Sequence, residues 1–199
     1  MSDKEIRIEI LTVSDESIKK IAQLHKLLFD KDHFTSIFTE ELLLGYFNLL
    51  LKYSQFKYVA VADDKYYGYL IGGVRLDEVL SNFSNKNFIT LLFLLIKHPK
   101  FLKEKFQDLF RKIFLSSNKS TAKMRLFLIA AKHNEHIKGV GKKIIKQFEQ
   151  DLIQNGIYLY GLSVRKHNSN AIDFYHQLRF VEEFQTSKSI YFIKNLKKI

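Results

Sequence analysis

His136-Ile137-Lys138-Gly139-Val140-Gly141-Lys142-Lys143 follows a run that is apolar on both faces, Met124 to Ala131, and precedes Ile144, Ile145, Phe148, Leu152 and Ile153 at helical spacing. A buried strand that feeds an amphipathic helix through a glycine-containing turn leaves several consecutive backbone N–H groups without intrahelical acceptors. The helix dipole adds partial positive charge at the same place, so a pyrophosphate is the natural occupant. Glycines let the chain approach such a group closely. The plain alternative is a helix start that merely needs small residues. The stretch is not a Walker loop, which needs Gly-Lys-Ser/Thr. It is not a dinucleotide fingerprint either, because no G-x-G-x-x-G and no early βαβ unit accompany it.

The elements on either side can be read from hydrophobic period. Ile6, Ile8 and Ile10 alternate with Arg7 and Glu9, as in a half-buried strand. Ser14 or Asp15 caps a helix carrying Ile18, Ile21, Ala22, Leu24, Leu28 and Phe29. A second helix, from about Thr39 to Lys52, places Leu42, Leu43, Tyr46, Leu49 and Leu50 on one face. Tyr58 to Ala62 and Tyr66 to Val74, joined at Asp63-Asp64-Lys65, read as a hairpin, with Gly72-Gly73 marking a bulge or a close backbone approach. From about Asp77 to Asn118 the pattern is helical and broken by Pro99, with Phe88, Leu91, Leu92 and Leu95 before it and Leu102, Phe106, Leu109, Phe110 and Ile113 after it. Beyond the glycine turn come a strand at Tyr158 to Val164, a helix at Ser169 to Leu178, and a closing strand pair at Phe180 to Phe184 and Ile190 to Ile193. This order of elements is α/β with a mixed sheet.

Composition sets the outer limits. The 199 residues include one proline and no linker-like tract, so a single domain over 1–199 is expected. Apolar residues at 46% beside charged residues at 27% exclude disordered and collagen-like classes. The absence of cysteine excludes disulfides, thiolate nucleophiles and cysteine-ligated zinc or iron–sulfur sites, and no metal is expected. Met1-Ser2-Asp3-Lys4-Glu5 opens no secretory signal, so the cytoplasm is expected. A formal charge of +11 attracts nucleic acid, anionic membrane or a polyanionic small molecule, or else describes a solvated lysine surface. The lysines are spread along the whole chain without a recognition motif, and nucleic acid is not expected as a partner.

Two blocks carry a family resemblance. Gly139 and Gly141, with His136 three residues ahead, resemble the Gln/Arg-x-x-Gly-x-Gly/Ala signature that follows the fourth strand of GNAT acetyltransferases. Asn168, Ala171, Phe174-Tyr175, Leu178 and Phe180 resemble the family's Asn-x-x-Ala-x-x-Phe-Tyr-x-x-Leu-Gly-Phe run, with Arg179 in place of its glycine. The clear likeness spans about Met124 to Phe184. It implies a central mixed, mostly antiparallel sheet with splayed fourth and fifth strands, flanked by helices, and a helical insertion at about 77–118 between the third and fourth strands.

The resemblance also implies chemistry: an acyl-CoA-dependent N-acetyltransferase moving acetyl from acetyl-CoA to a primary amine by direct attack in a ternary complex. The carrier would lie on the backbone of Ile129 and Ala131, on the turn His136, Ile137, Lys138, Gly139, Val140, Gly141 and Lys142, and against Asn168, with Ser163 or Val164 near the acyl group. Tyr175 would act as acid toward the leaving sulfur, and the Ala131 N–H would hold the oxyanion. Candidates for the base are His33, Asp32, Glu135 and His133; His33 is favoured because an imidazole pKa near ~6.5 suits amine deprotonation. Inserted sequences of this kind resemble those associated with surface polysaccharide or amino-sugar biosynthesis, which makes an amino sugar or nucleotide-linked amino sugar the acceptor.

Other readings stay open. One is a non-catalytic acyl-CoA-binding module on the same scaffold, and another is acetylation of a peptide or protein amine. Most leucines and phenylalanines of the insertion are expected to enlarge the core or bury themselves in a homodimer interface. The insertion also reads as an acceptor lid, and its basic face, Lys97, Lys100, Lys103, Lys105, Arg111 and Lys112, as a peripheral membrane contact.

Overall fold

The computed structural model describes residues 5–29, 33–101, 120–132 and 138–197. The chain divides into two compact units interleaved in sequence. One holds Met1–Thr12, Ser54–Arg75 and Ser120–Ile199, and the other holds Val13–Tyr53 and Leu76–Lys119.

The first unit is built on a seven-stranded sheet in the order β1-β2-β3-β4-β5-β7-β6. Its strands are β1 (Arg7–Ile10), β2 (Phe56–Ala62), β3 (Lys65–Gly73), β4 (Met124–Ala131), β5 (Leu159–Arg165), β6 (Val181–Gln185) and β7 (Ser189–Asn195). Every neighbouring pair is antiparallel except β4–β5. The β2–β3 turn puts both Asp63 and Asp64 at positive φ, 47° and 57°, the left-handed pair that matches the twist of a two-residue hairpin. Gly72 meets both of its expectations. The β3–β4 register slips beside it, leaving Phe127 as the extra residue, and a Cβ there would stand 3.0 Å from the Phe148 ring.

Two helices of this unit follow β4 and β5: α5 (Val140–Gln154) and α6 (Ser169–Gln177). Ile144, Phe148 and Leu152 are fully buried on α5 and join Tyr58, Leu70, Tyr160 and Phe192 in one core. Each such side chain contributes about 1.5–3 kcal/mol of burial. At the rim of the core Glu149 accepts from the Tyr160 hydroxyl at 2.5 Å and from Lys194 Nζ at 2.6 Å.

The second unit contains α1 (Asp15–Leu28), a 3-10 turn (Phe34–Ile37), α2 (Glu40–Tyr53), α3 (Leu76–Lys86) and α4 (Phe88–Lys97). Ser14 is the cap of α1, exchanging hydrogen bonds with Ser17 in a capping box. Phe38, Tyr46, Phe47 and Phe83 form an edge-to-face cluster among α2, α3 and the segment before them. Where the insertion is described, Phe83, Leu91 and Phe101 are buried, while within α4 Leu91 is the one buried residue. Its residues are apolar around nearly the whole circumference, so one buried face leaves the others in solvent. Leu102, Phe106, Leu109, Phe110 and Ile113 lie outside the described residues.

Candidate acyl-carrier site

The parallel pair β4–β5 is joined through Met124↔Tyr160 and Arg125↔Gly161. Beyond those pairs β4 runs on to Ala131 against β3, and β5 runs on to Arg165 against β7. The two strands therefore part toward their C-terminal ends. Lys132 donates its N–H to the Tyr67 carbonyl at 2.7 Å. By strand alternation, Ile129 and Ala131 turn their own N–H and C=O groups to the other edge, the one facing β5. Among the described residues no strand pairs with that edge beyond Arg125, which leaves its main-chain donors and acceptors facing an extended ligand.

The edge leads into the turn. Gly139 is the N-cap of α5 in the left-handed region, φ 72°, and among the described residues nothing lies within 4 Å of where its Cβ would stand. The first helical bond runs from the Lys143 N–H to the Gly139 carbonyl at 3.0 Å, so the amides of Val140, Gly141 and Lys142 have no partner inside the helix. α1 and α2 neutralise their N-termini with Asp15 and Glu16 and with Glu40 and Glu41, whereas α5 carries no acidic residue in its first turn. Lys142 and Lys143 are exposed there, and Lys138 just before. Uncompensated dipole, amides without intrahelical acceptors and lysines together fit a pyrophosphate. His136, Ile137, His133, Glu135 and Asp32 lie outside the described residues.

Gly141 explains the second glycine. A Cβ on it would meet the Phe174 ring at 3.2 Å and the Ala131 Cβ at 3.8 Å, so the start of α5, the end of β4 and α6 converge at this point. Phe174 was not singled out for this role from sequence; the signal available was a glycine in the first helical turn, which marks a close neighbour.

Asn168 caps α6, its Oδ1 accepting from the Ala171 N–H at 3.1 Å, and remains exposed. Tyr175, one turn before the helix end, is 5% exposed among Phe180, Phe192 and Phe174, with ring centroids 5.2 to 6.2 Å away. Burial pushes its hydroxyl far above the ordinary phenol range, so it stays protonated at neutral pH as a donor. Among the described residues no hydrogen bond engages that hydroxyl, unlike those of Tyr58 and Tyr160, which donate to Asp151 and Glu149. The helix ends in a Schellman pair: Phe180 N–H to the Tyr175 carbonyl at 3.1 Å and Arg179 N–H to the His176 carbonyl at 2.9 Å. Arg179 takes φ 62°, so it reproduces the glycine geometry with an ordinary side chain.

His33 belongs to the helical unit. Its Nδ1 lies 2.6 Å from Thr35 Oγ1, which in turn lies 2.6 Å from Nε2 of the buried His25. Burial first, and the nearby His33 second, hold the His25 pKa down at about 3. The bridging hydroxyl couples the two rings, a link that sequence reading passed over because ten residues separate His25 from Thr35.

Comparison with known proteins assigns the family. Residues 18–180 match the Acetyltransferase (GNAT) family. The chain belongs to the GNAT acetyltransferase family. Solved structures show the same fold at low identity. The PaiA N-acetyltransferase of Thermoplasma acidophilum, in complex with coenzyme A, is 16% identical with a TM-score of 0.55 over 96% of this chain and 99% of that one. PH1933 of Pyrococcus horikoshii is 15% identical, with a TM-score of 0.62 over 98% of this chain and 100% of that one. The ribosomal-protein-S18-alanine N-acetyltransferase of Escherichia coli is 14% identical, with a TM-score of 0.54 over 98% and 96%. No curated protein sequence matches the chain. GNAT membership supports acyl transfer from a coenzyme A thioester in general.

Proposed function

We propose that the chain is an N-acetyltransferase moving acetyl from acetyl-CoA to a primary amine of a small molecule, of the amino-sugar or nucleotide-linked amino-sugar class, and that it works as one GNAT domain. The family match at 18–180 runs through both compact units, which supports the single-domain reading. The observation that carries the donor assignment is the opening of β4 from β5 onto the bare N-terminus of α5.

In this reading the pyrophosphate takes the amides of Val140, Gly141 and Lys142, and the pantetheine arm pairs with Ile129 and Ala131. Asn168 lines the β5 side. The amine attacks the thioester carbonyl carbon, and the Ala131 N–H meets the negative charge growing on its oxygen. The carbon–sulfur bond then breaks, and the Tyr175 hydroxyl donates to the departing sulfur. His33 takes the amine proton, with Thr35 and His25 fixing its ring. The surplus of lysines favours an anionic acceptor such as a sugar nucleotide.

Turnover of acetyl-CoA against a panel of amino sugars, sugar nucleotides and peptides tests this. Tyr175→Phe keeps the ring packing, so acetyl-CoA binding stays while kcat falls about 10²–10⁴-fold. Unchanged kcat removes Tyr175 from the chemistry. Binding without turnover on any amine favours a non-catalytic module.

A further inference from the structure

α4 carries an exposed apolar surface that includes none of the residues assigned to the acyl carrier. Ile89, Phe88, Ile96, Phe93 and Leu92 are exposed by 81, 62, 61, 60 and 41%. Their spacing, i, i+1, i+4, i+5 and i+8, gathers them on one stripe of the helix. Stable monomers rarely leave so many large apolar side chains contiguous in water. The stripe has basic ends: Lys86 precedes it, and Lys97 closes it with Nζ 4.7 Å over the Phe93 ring. From Lys86 to Lys119 the sequence holds eight Lys or Arg against two acids, more than half of the chain's excess positive charge.

Length decides the geometry. Ten residues rise about 15 Å, half of a bilayer's hydrocarbon core. Among the described residues no single helix is long and apolar enough to cross a membrane, and α4 meets α3 at a bend of 83°. A short helix with an apolar stripe and lysines at its ends suits a position in the plane of the interface.

We propose that α4 docks on an anionic lipid surface, with Phe88, Ile89, Leu92, Phe93 and Ile96 below the headgroups and Lys86 and Lys97 at the lipid phosphates. Charge selects this occupant over a second copy of the chain, because two copies meeting at this face would bring like charges together, whereas anionic headgroups complement them.

The full chain is incubated with vesicles of phosphatidylcholine alone and with vesicles in which about a third of the lipid is phosphatidylglycerol. The expected result is co-sedimentation with the anionic vesicles, weakened by salt, and little with the neutral ones. The chain has no tryptophan, so Phe93→Trp supplies a single indole whose emission shifts to the blue only with the anionic vesicles. Ile89→Glu with Phe93→Glu alters two exposed positions, leaves the circular dichroism unchanged and lowers partitioning about ten-fold or more. Three results overturn the proposal: a folded wild type that stays in solution, a double variant that binds as the wild type does, or a dimer by light scattering that the double variant dissociates, which makes a second copy the cover.

Discussion

Acidification is expected to weaken the helical unit through His25. The ring is 1% exposed, stacked on Phe29 at 4.0 Å and edge-on to Phe47 at 5.1 Å, with Nε2 bound to Thr35. In the unfolded chain it takes a proton near pH ~6.5. In the folded chain burial and His33 delay that to about 3. The depressed folded pKa means that stability is fully present above the unfolded value and is lost as pH falls from there to the folded value. Between those limits the loss runs at about 1.4 kcal/mol per pH unit, so moving from about pH 7 to 4.5 costs roughly 2.5 kcal/mol from this residue alone. Urea unfolding of the wild type and of His25→Gln, which keeps an N–H for Thr35 and does not titrate, isolates the term. Carboxylate titrations are common to both proteins. The wild type should lose roughly 2.5 kcal/mol more than the variant over that interval; parallel pH profiles would refute the reasoning.

Four further substitutions follow from the sheet unit. Arg179→Gly relieves a left-handed backbone at the end of α6 and should stabilise by about 0.5 kcal/mol, with a small rise in Tm. Gly156→Ala, at the same position of the cap of α5 with φ 71°, should destabilise by about 1 kcal/mol. A loss of stability in Arg179→Gly contradicts this account of the cap. Glu149→Leu strands the Tyr160 hydroxyl and Lys194 together and should cost roughly 3–5 kcal/mol by urea denaturation. Lys194→Leu leaves the Tyr160–Glu149 bond in place and should cost less than half as much, and equal costs would show that the hydroxyl is indifferent to its partner.

The glycine turn, the cap at Ser14, the hairpin and the helical faces of α1, α2 and α5 were legible because each leaves a local mark: a period, a cap or a residue with unusual backbone freedom. What escaped reading depended on neighbours distant in sequence. Arg179 occupies a glycine's conformation because the Phe180–Tyr175 contact and two cap bonds hold it there. The bulge beside Gly72 was legible from its glycines, but that Phe127 is the extra residue on the partner strand depends on the β3–β4 register. The His25–Thr35–His33 link depends on how the segment after α1 folds back. The exposure of α4 was invisible because a nearly all-apolar helix has no period to say which side faces water. At the site, Ile129 and Ala131 were singled out through the family resemblance, while the meeting of Gly141 with Phe174 needed the fold.

The most direct test of the donor site is calorimetric titration of acetyl-CoA into the wild type, Gly139→Glu and Gly139→Asn. Asparagine tolerates the left-handed backbone and adds no charge, and among the described residues nothing stands where its Cβ would lie. Wild type and Gly139→Asn should therefore bind, while the glutamate repels the pyrophosphate and abolishes binding. A folded wild type that takes up no acetyl-CoA, or a glutamate variant that binds as well as the wild type, would contradict the placement of the carrier on this turn.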